Sequence, residues 1–433
     1  MTATLLALLV FFVLAMGLRV PVGLSLGIVG FGGLWITRGS TAAVFSGATE
    51  IFEAAGYALS VVPMFVLMGN FVTQGGLSRH LYNAAYAFLG HRRGGLAAST
   101  IAACAGFGSV CGSAVATVAT MAKVAVPEMR RLGYSDSLAA ASVGAGGSLG
   151  ILIPPSALLI LYGLMTETSI GALFAAALVP GVVATLFYIG ASQWTVWRDP
   201  SAGPAGARTP WPHRVQAVLE VWPVLVLFVV VIGGMYGGVF TATEAAGVGA
   251  AGGFLVAWSR KTLTWRALHA ILIDTAVTTG MMFVILIGAM VFANFVAFTS
   301  MTNDLMETVK RLDVPPIWII VAIVSIYVVL GTIMEEFSMI LLTLPIFFPL
   351  VTGLGFDPVW FGILVVCVVE IGMISPPVGM NLFVLRAQLP DVSISAIWRG
   401  LTPFLVADVA RLAVLVALPV VTLWLPRALG LIR

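Results

Sequence analysis

Charged side chains are too scarce in this chain to coat a water-soluble globule of its size. Asp, Glu, Lys and Arg together make up 9% of the 433 residues, whereas 60% are hydrophobic and the mean hydropathy is +1.08. Soluble domains are about a quarter charged and about half apolar. The composition therefore predicts an all-α protein that crosses a membrane several times. The net charge of +3 gives no indication of a nucleic-acid partner.

Apolar runs long enough to cross a bilayer recur along the chain. A crossing helix needs about 20 apolar residues, and about ten stretches between charged clusters fit that description. They are 3–18, 20–37, 60–75, 135–165, 170–195, 217–236, 240–258, 272–299, 359–386 and 400–425. Two further regions, 94–127 and 316–351, are each too long for one helix and have Gly-rich or polar centres. They are predicted to be re-entrant hairpins, which enter and leave the membrane by one face.

The distribution of basic residues sets the predicted orientation. With both regions folded as hairpins, most Arg and Lys residues fall on one side, including Arg79 and Arg260, and few fall on the other, including Lys310. By the positive-inside rule the richer side is cytoplasmic. Both termini are then predicted to lie outside, with the first hairpin entering from the cytoplasm and the second from the outside.

The two halves of the chain resemble each other around a polar, Pro- and Gly-rich connection at 198–214. Residues of the first half recur 222 positions later: Pro127, Leu132, Gly133, Val143, Gly150, Pro154 and Pro155 as Pro349, Leu354, Gly355, Val365, Gly372, Pro376 and Pro377. Each half has an odd number of predicted crossings, so the second half is upside down. The sequence thus predicts two inverted repeats, 1–197 and 215–433, joined by a flexible cytoplasmic linker, as is typical of secondary transporters.

Each half carries a pair of prolines inside an apolar segment, Pro154–Pro155 within 135–165 and Pro376–Pro377 within 359–386. Proline donates no backbone hydrogen bond and disfavours the helical conformation in the residue before it. Polar backbone groups freed at membrane depth must line a polar cavity or be buried in protein. A single kink is usually structural. Two at equivalent positions, each after a hairpin, predict discontinuous helices whose free carbonyls and N–H groups bind ions or an anion.

The centres of the two predicted hairpins carry the residues that suit such chemistry. The first, 107–117, is rich in Gly, Ser and Thr, which allow close backbone approach and offer hydroxyls to a hard cation or a carboxylate. The second, 331–338, contains Glu335 and Glu336, and Glu370 lies on the adjacent broken helix. Acids in apolar segments are costly unless they are protonated, paired or close to a cation. They therefore indicate either a binding site or a buried structural hydrogen bond.

Other polar residues in apolar segments have a structural interpretation. Asp408 and Arg411 are three residues apart on the last predicted span and are expected to form an internal pair. The three cysteines, Cys104, Cys111 and Cys367, all lie in apolar stretches and are predicted to be buried thiols.

These motifs resemble the large, DctM-like membrane subunit of tripartite ATP-independent periplasmic (TRAP) transporters. The resemblance covers essentially the whole chain and is strongest at 108–117, 147–156, 331–349 and 370–383. It implies sodium-driven uptake of an organic anion across the bacterial inner membrane, without an organic cofactor. In that membrane, the two termini predicted to lie outside would be periplasmic. It also implies an elevator-type fold, in which hairpins and broken helices move as one block. The implied partners are a small DctQ-like membrane subunit and a periplasmic DctP-like binding protein.

The resemblance further implies ion and substrate sites. A first sodium site would comprise Ser109, Gly112, Ser113, Gly150 and Pro154. A second would comprise Gly331, Thr332, Glu335, Gly372 and Pro376. Substrate would lie near Thr117, Ser156 and Asn381. The chain departs from the family pattern at Ser109, Cys111, Ala114 and Glu336, which leaves the sodium stoichiometry and any proton coupling open.

Alternative functions differ in what they require. A stand-alone, cation-coupled di- or tricarboxylate carrier of related fold needs no binding protein. An intramembrane enzyme is disfavoured, because all four histidines lie in loops or at helix edges and no metal-ligand spacing appears. A passive channel is disfavoured because opposed hairpins fit alternating access. The chain is therefore predicted to be a transporter subunit whose substrate the sequence does not name.

Overall fold

The structure is a computed structural model and is helical throughout its described part, without strands, which confirms the predicted all-α class. It describes residues 2–54, 56–299, 301–311 and 314–432. Met1 and Arg433 lie outside the described residues, so the location of both termini outside the cell membrane stays a prediction.

The helices of each half follow one another with short connections. The first half contains α1 (Thr2–Phe12), α2 (Val22–Arg38), α3 (Ser40–Ala54), α4 (Val61–Gln74), α5 (Leu77–Leu89), α6 (Gly95–Cys111), α7 (Ala114–Arg131), α8 (Asp136–Ser148), α9 (Ala157–Thr166) and α10 (Ile170–Arg198). The second contains α11 (Trp211–Phe228), α12 (Gly234–Tyr236), α13 (Ala242–Ser259), α14 (Trp265–Ala297), α15 (Met301–Arg311), α16 (Pro316–Gly331), α17 (Glu336–Gly353), α18 (Pro358–Ile374), α19 (Met380–Gln388), α20 (Ile394–Ala417) and α21 (Val420–Ala428). Short π-helical segments at Val13–Gly17 and Val229–Gly233 continue α1 and join α11 to α12.

Within the described residues, five helical segments are long and apolar enough to cross a membrane. They are α10, Trp211–Tyr236, α14, α17 and α20. Four of them coincide with predicted crossings, whereas α17 is the second arm of the predicted hairpin 316–351. The pair α4 and α5, bent by 67° at an elbow, makes a sixth if taken as one span. The other predicted crossings are shorter, interrupted or Gly-rich helices, so the number of about ten crossings stays a prediction.

Helix boundaries follow the spacing of the sequence repeat. Helices α7 and α17 begin at residues 114 and 336 and end at 131 and 353, in both cases 222 apart. Helices α8 and α18 begin at 136 and 358, again 222 apart. Both Pro–Pro bonds are cis. The halves therefore share local structure, while their division at 198–214 and their inverted orientation in the membrane stay predictions.

The two halves pack against each other through several pairs of helices, with one helix of each pair from each half. Helix α2 runs along α14, and α4 runs along α13. The first pair approaches closely because α2 lacks side chains at the contact: a Cβ added to Gly30 would lie 2.6 Å from the backbone nitrogen of Phe292. Helix α9 likewise packs on α17, and α19 packs on α7. Each broken helix thus contacts the hairpin of the other half.

The connection between the halves is held in place, which differs from the flexible linker that its composition predicts. The amide of Ser135 donates to the carbonyl of Ala202 at 3.0 Å, and the amide of Gly94 donates to the carbonyl of Gly203 at 2.9 Å. Ala202 is buried. Backbone pairing with the loops of the first half therefore fixes this part of the linker despite its Pro and Gly content.

Candidate functional site

The first predicted hairpin folds back at its Gly- and Ser-rich centre. Gly112 ends α6 with a φ of +66°, a conformation that glycine adopts without a side-chain penalty. Ser113 then caps α7 by accepting a hydrogen bond from the amide of Ala116 at 3.4 Å. Near the other end of the arms, Thr100 Oγ1 lies 3.4 Å from Met129 Sδ. The arms α6 and α7 therefore lie side by side and run in opposite directions.

The first broken helix meets the tip of this hairpin through backbone contacts. Between α8 and α9 the chain passes through one 3-10 turn and the two prolines, and Ser156 caps α9 by accepting from the amide of Leu159 at 3.3 Å. A Cβ added to Gly108 would lie 2.5 Å from the Cα of Gly150. A Cβ added to Gly112 would lie 3.0 Å from the carbonyl oxygen of Pro155. Glycine is required here because the two backbones touch; we call this contact region the first cradle.

The second hairpin and second broken helix repeat this arrangement. Thr343 Oγ1 lies 2.7 Å from Tyr327 Oη, which places α16 beside α17. A Cβ added to Gly372 would lie 2.6 Å from the carbonyl carbon of Gly331. Glu335 caps α17, and its Oε2 accepts from the amide of Ser338 at 3.0 Å and from its hydroxyl at 2.9 Å. We call this contact region the second cradle.

The two cradles differ in exposure. Pro154 and Pro155 are buried in the first, whereas Pro376 and Pro377 are exposed in the second. Ile333, at the second tip, is 44% exposed. The first cradle is therefore closed off by protein and the second opens to its surroundings.

The first predicted sodium set is largely brought together. A Cβ on Gly150 would lie 3.1 Å from the carbonyl oxygen of Ser113, which puts hairpin tip and helix break in contact, and Gly112 lies beside the carbonyl of the proline that follows Pro154. Ser109 Oγ donates to the carbonyl of Gly106 at 2.8 Å, so this hydroxyl is engaged within α6.

Among the residues of the second predicted sodium site, the described contacts bring together only Gly331 and Gly372. Thr332 Oγ1 donates to the carbonyl of Val329 at 2.8 Å, and the carboxylate of Glu335 is engaged by Ser338. The described contacts do not bring Thr332, Glu335 or Pro376 to one point.

The three predicted substrate residues are fully buried and fall into two groups. Thr117 belongs to the first cradle, where its Oγ1 donates to the carbonyl of Ser113 at 2.7 Å. Ser156 belongs there too, since its Oγ donates to the carbonyl of Ile151. Asn381 instead ties α19 to α8, its Nδ2 donating to the carbonyl of Gly144 at 3.0 Å. No described contact joins Asn381 to Thr117 or Ser156.

A buried ionic cluster includes residues close in sequence to both helix breaks. Arg411 Nη2 is 2.8 Å from Asp408 Oδ1, which confirms the predicted internal pair, and 2.6 Å from Glu370 Oε2. Tyr188 Oη donates to Asp408 Oδ2 at 2.7 Å and lies 3.2 Å from Ser148 Oγ. The arginine and both acids are fully buried. The structural interpretation of Glu370 is therefore the one its contacts support.

This cluster connects the two broken helices at equivalent places. Ser148 precedes Gly150 by two residues, and Glu370 precedes Gly372 by two residues. Ser148 and its partner Tyr188 are not among the residues predicted from the sequence, although Ser148 lies 222 residues before Glu370, at the spacing of the repeat. Four helices, α8, α10, α18 and α20, are joined by one set of polar contacts.

A second pair of equivalent contacts was also missed. Asn70 Nδ2 donates to Asp274 Oδ2 at 3.0 Å, and Asn294 Nδ2 donates to Glu50 Oε1 at 2.7 Å. Both asparagines begin an Asn-Phe-Val sequence, at 70–72 and 294–296, which is the signal that identifies them. The first hydrogen bond joins α4 to α14, and the second joins α14 to α3. Each of them therefore connects the two halves of the chain.

The donor set of the cradles fits a small hard cation better than a transition metal. The described residues contain no group of three or more His, Cys, Asp or Glu side chains placed to hold a metal ion. Carbonyl oxygens at the ends of half-helices and nearby hydroxyls are instead the groups that coordinate sodium in transporters with broken helices. The cradles supply carbonyls from Pro155 and Gly331, whereas the carbonyl of Ser113 already accepts from the amide and the hydroxyl of Thr117.

Comparison with known proteins finds similarity over nearly the whole chain. Residues 8–421 match the family described as Tripartite ATP-independent periplasmic transporter, DctM component. The chain is 37% identical to the C4-dicarboxylate TRAP transporter large permease protein DctM of Pseudomonas aeruginosa, over 92% of this chain and 93% of that one. It is 30% identical to the isethionate TRAP transporter permease protein DctMQ of Oleidesulfovibrio alaskensis, over 96% of this chain and 65% of that one.

Solved structures show the same fold at low sequence identity. The Alcanivorax borkumensis YdaH transporter is similar with a TM-score of 0.63 and 14% identity, over 88% of this chain and 89% of that one. This likeness concerns the fold alone, and the fold is one that a transporter adopts.

Proposed function

This chain belongs to the DctM component family of tripartite ATP-independent periplasmic transporters, and on that premise we propose that it carries an organic anion across the bacterial inner membrane by sodium-coupled uptake. As a transporter permease subunit it is not an enzyme. The observation that supports the proposal most is the pair of glycine contacts, Gly108 with Gly150 and Gly331 with Gly372, at which a hairpin tip meets a broken helix in each half.

Sodium is the proposed coupling ion because the cradles offer oxygen atoms of the backbone. In a low-dielectric environment an ion is bound only where dipoles replace its water. The first cradle presents the carbonyl of Pro155 beside Gly112. We assign the first sodium site there, to Ser109, Gly112, Ser113, Gly150 and Pro154. We assign the second to Gly331, Gly372, Thr332, Glu335 and Pro376; in its exposed state it holds its ion less tightly.

The proposed substrate is a small carboxylate or related anion. The names of two relatives refer to a C4-dicarboxylate and to isethionate, both small organic anions. Helix α9 restarts at the first cradle, where its positive end attracts negative charge. Thr117, Ser156 and Asn381 are the proposed substrate ligands, and because all three are buried, the substrate reaches them only in another conformation of the chain.

Two partners complete the proposed system. A small DctQ-like membrane subunit accompanies this chain, and a periplasmic DctP-like protein delivers the anion. The isethionate relative is described as DctMQ, and this chain spans 65% of its length, as expected if that protein also contains the smaller subunit.

The proposed movement is an elevator movement of hairpins and broken helices as one block. The ionic cluster of Ser148, Tyr188, Glu370, Asp408 and Arg411 supports it, because it joins α8 to α18 through Tyr188 of α10 and through Asp408 and Arg411 of α20. Cross-packing of α9 on α17 and of α19 on α7 supports it as well. In the proposed orientation both termini are periplasmic and the two hairpins enter from opposite faces.

The proposal is tested by uptake of labelled succinate and isethionate into vesicles that contain this chain, its small partner subunit and the loaded binding protein. Uptake is expected only with an inward sodium gradient and all three components. Sodium-independent uptake would contradict the coupling. Uptake by this chain alone would favour the alternative, a stand-alone di- or tricarboxylate carrier.

A further inference from the structure

A cavity of about 750 Å³ lies beside the elbow between α4 and α5, away from both cradles. The first turn of α5 contributes Arg79 and His80, α11 contributes Glu220, and Arg260 follows the end of α13. Val124 of α7, in the second arm of the first hairpin, also lines it. We call this space the basic cavity.

The charges that line the basic cavity are not balanced. Arg260 is engaged: its Nη1 lies 2.9 Å from His80 Nδ1, and its Nη2 donates to the carbonyl of Glu220. Arg79 is exposed and has no hydrogen-bond or ion-pair partner in the part of the chain that the structure describes. Two guanidinium groups therefore face one carboxylate, and the guanidinium of Arg79 is available to a ligand.

The surroundings of the cavity place it at the boundary between lipid and water. Trp222 follows Glu220 by two residues and is 57% exposed, and Trp258 precedes Arg260 by two residues and is 65% exposed. Exposed tryptophans are enriched at the level of lipid headgroups. Beyond Trp222, α11 exposes Leu225 and Val226 on its outer surface, as a lipid-facing helix does.

We propose that the basic cavity binds the phosphate group of an anionic phospholipid, with Arg79 as the free cationic contact and Arg260 as a fixed one. Arginine suits this role because its planar guanidinium donates two parallel hydrogen bonds to a phosphate. Basic pockets between helices on the cytoplasmic side are typical binding places for anionic headgroups. The N-terminus of α5 is the positive end of the helix dipole and adds to the positive potential of the cavity. Its cap residue, Gly76, has no side chain.

A free inorganic phosphate offers the same chemistry as the headgroup, so the two sources must be separated. The acyl chains distinguish them. A lipid anchored against the apolar faces of α11 and α13 gains affinity from its chains, and inorganic phosphate does not.

The test is native mass spectrometry of the purified full chain in detergent with added phosphatidylglycerol. Phosphatidylcholine with the same acyl chains is the uncharged comparison, and inorganic phosphate is the competitor. The variant Arg79→Gln is expected to bind phosphatidylglycerol about fivefold more weakly, in line with the effect of one basic residue near a membrane surface. Arg208→Gln, an exposed arginine of the linker, is the matched control and is expected to bind as the unmodified chain does.

Retention of phosphatidylglycerol over phosphatidylcholine that is about fivefold weaker in Arg79→Gln and unchanged in Arg208→Gln supports the proposal. Equal retention by Arg79→Gln and the unmodified chain overturns it. Equal binding of the two lipids, or displacement of phosphatidylglycerol by inorganic phosphate at the same concentration, also overturns it. The measurement involves no transport, so its outcome is independent of the sodium-coupled function.

Discussion

Glycine at the cradles determines how closely a hairpin tip approaches a broken helix. A Cβ on Gly372 would overlap backbone atoms of Gly331, the nearest at 2.6 Å, and backbone cannot move aside as a side chain can. A Cβ on Gly150 meets its nearest atom, Thr117 Oγ1, at 3.0 Å. Gly372 is therefore the more sensitive of these two positions to substitution, although the two residues are equivalent in the repeat.

We predict that Gly372→Ala separates α16 from α18 and lowers sodium-dependent uptake at least tenfold, with a loss of about 1–3 kcal/mol of stability. Gly150→Ala is expected to have a smaller effect. The control is Gly190→Ala on α10, where an added Cβ meets nothing within 4 Å. Uptake and thermal stability of the three variants are compared in the same vesicles and detergent. Equal behaviour of Gly372→Ala and Gly190→Ala would contradict the role of the contact.

Glu335 has two separable roles, as the cap of α17 and as a proposed sodium ligand. Glu335→Gln keeps an oxygen that accepts from Ser338, whereas Glu335→Ala removes it. Glu335→Gln is therefore expected to remain as thermally stable as the unmodified chain and to need at least tenfold more sodium for half-maximal uptake. Glu335→Ala is expected to abolish uptake while still inserting, and to lose about 0.5–2 kcal/mol from the missing cap. Unchanged sodium dependence in Glu335→Gln would remove this residue from the site.

At the scale of elements, the buried cluster joins helices that no local signal relates. The arginine and two carboxylates are fully buried on α18 and α20, and Tyr188 extends the contacts to α10. A buried charge left without its partner destabilises a protein far more than the intact pair stabilises it. The cluster therefore makes the position of α18 depend on α20.

We predict that Arg411→Met, which leaves two buried acids without a counter-charge, lowers stability by about 3–5 kcal/mol. The triple variant Glu370→Gln/Asp408→Asn/Arg411→Met carries no uncompensated charge and is expected to regain most of the stability that Arg411→Met loses. Thermal unfolding monitored by size-exclusion chromatography measures both. If Arg411→Met unfolds at the same temperature as the unmodified chain, the cluster is not what holds these helices.

The features of the fold that the sequence predicts arise from local interactions. The features that it does not predict arise from contacts between residues that are far apart in the chain. The hairpins and broken helices were predictable because Gly, Ser and Pro–Pro act on the backbone within a few residues. The hairpin arms, the helix breaks and the pair Asp408–Arg411 accordingly lie where the sequence indicates. The partners Ser148 and Tyr188, and the joining of Asn70 to Asp274, depend on packing between distant helices.

At the scale of the whole molecule, the account depends on two opposed cradles. Both hairpins fold back on themselves, and each broken helix contacts the hairpin of the other half. The two cradles are opposed only if both ends of each hairpin lie at the same membrane face and the two hairpins enter from different faces. That arrangement, rather than the identity of the substrate, distinguishes alternating access from a pore.

The most direct test is the accessibility of single cysteines introduced at the hairpin ends, in a chain whose Cys104, Cys111 and Cys367 are replaced by alanine. Cysteines at Arg93 and Arg131 flank the first hairpin, and cysteines at Lys310 and Thr352 mark the two ends of the second; Thr352 is partly exposed and the other three positions are exposed. A membrane-impermeant maleimide is applied to intact cells and to inverted vesicles. The proposed topology predicts that cysteines at 93 and 131 react only from the cytoplasmic face, and cysteines at 310 and 352 only from the periplasmic face. A hairpin whose two ends react from opposite faces would contradict it.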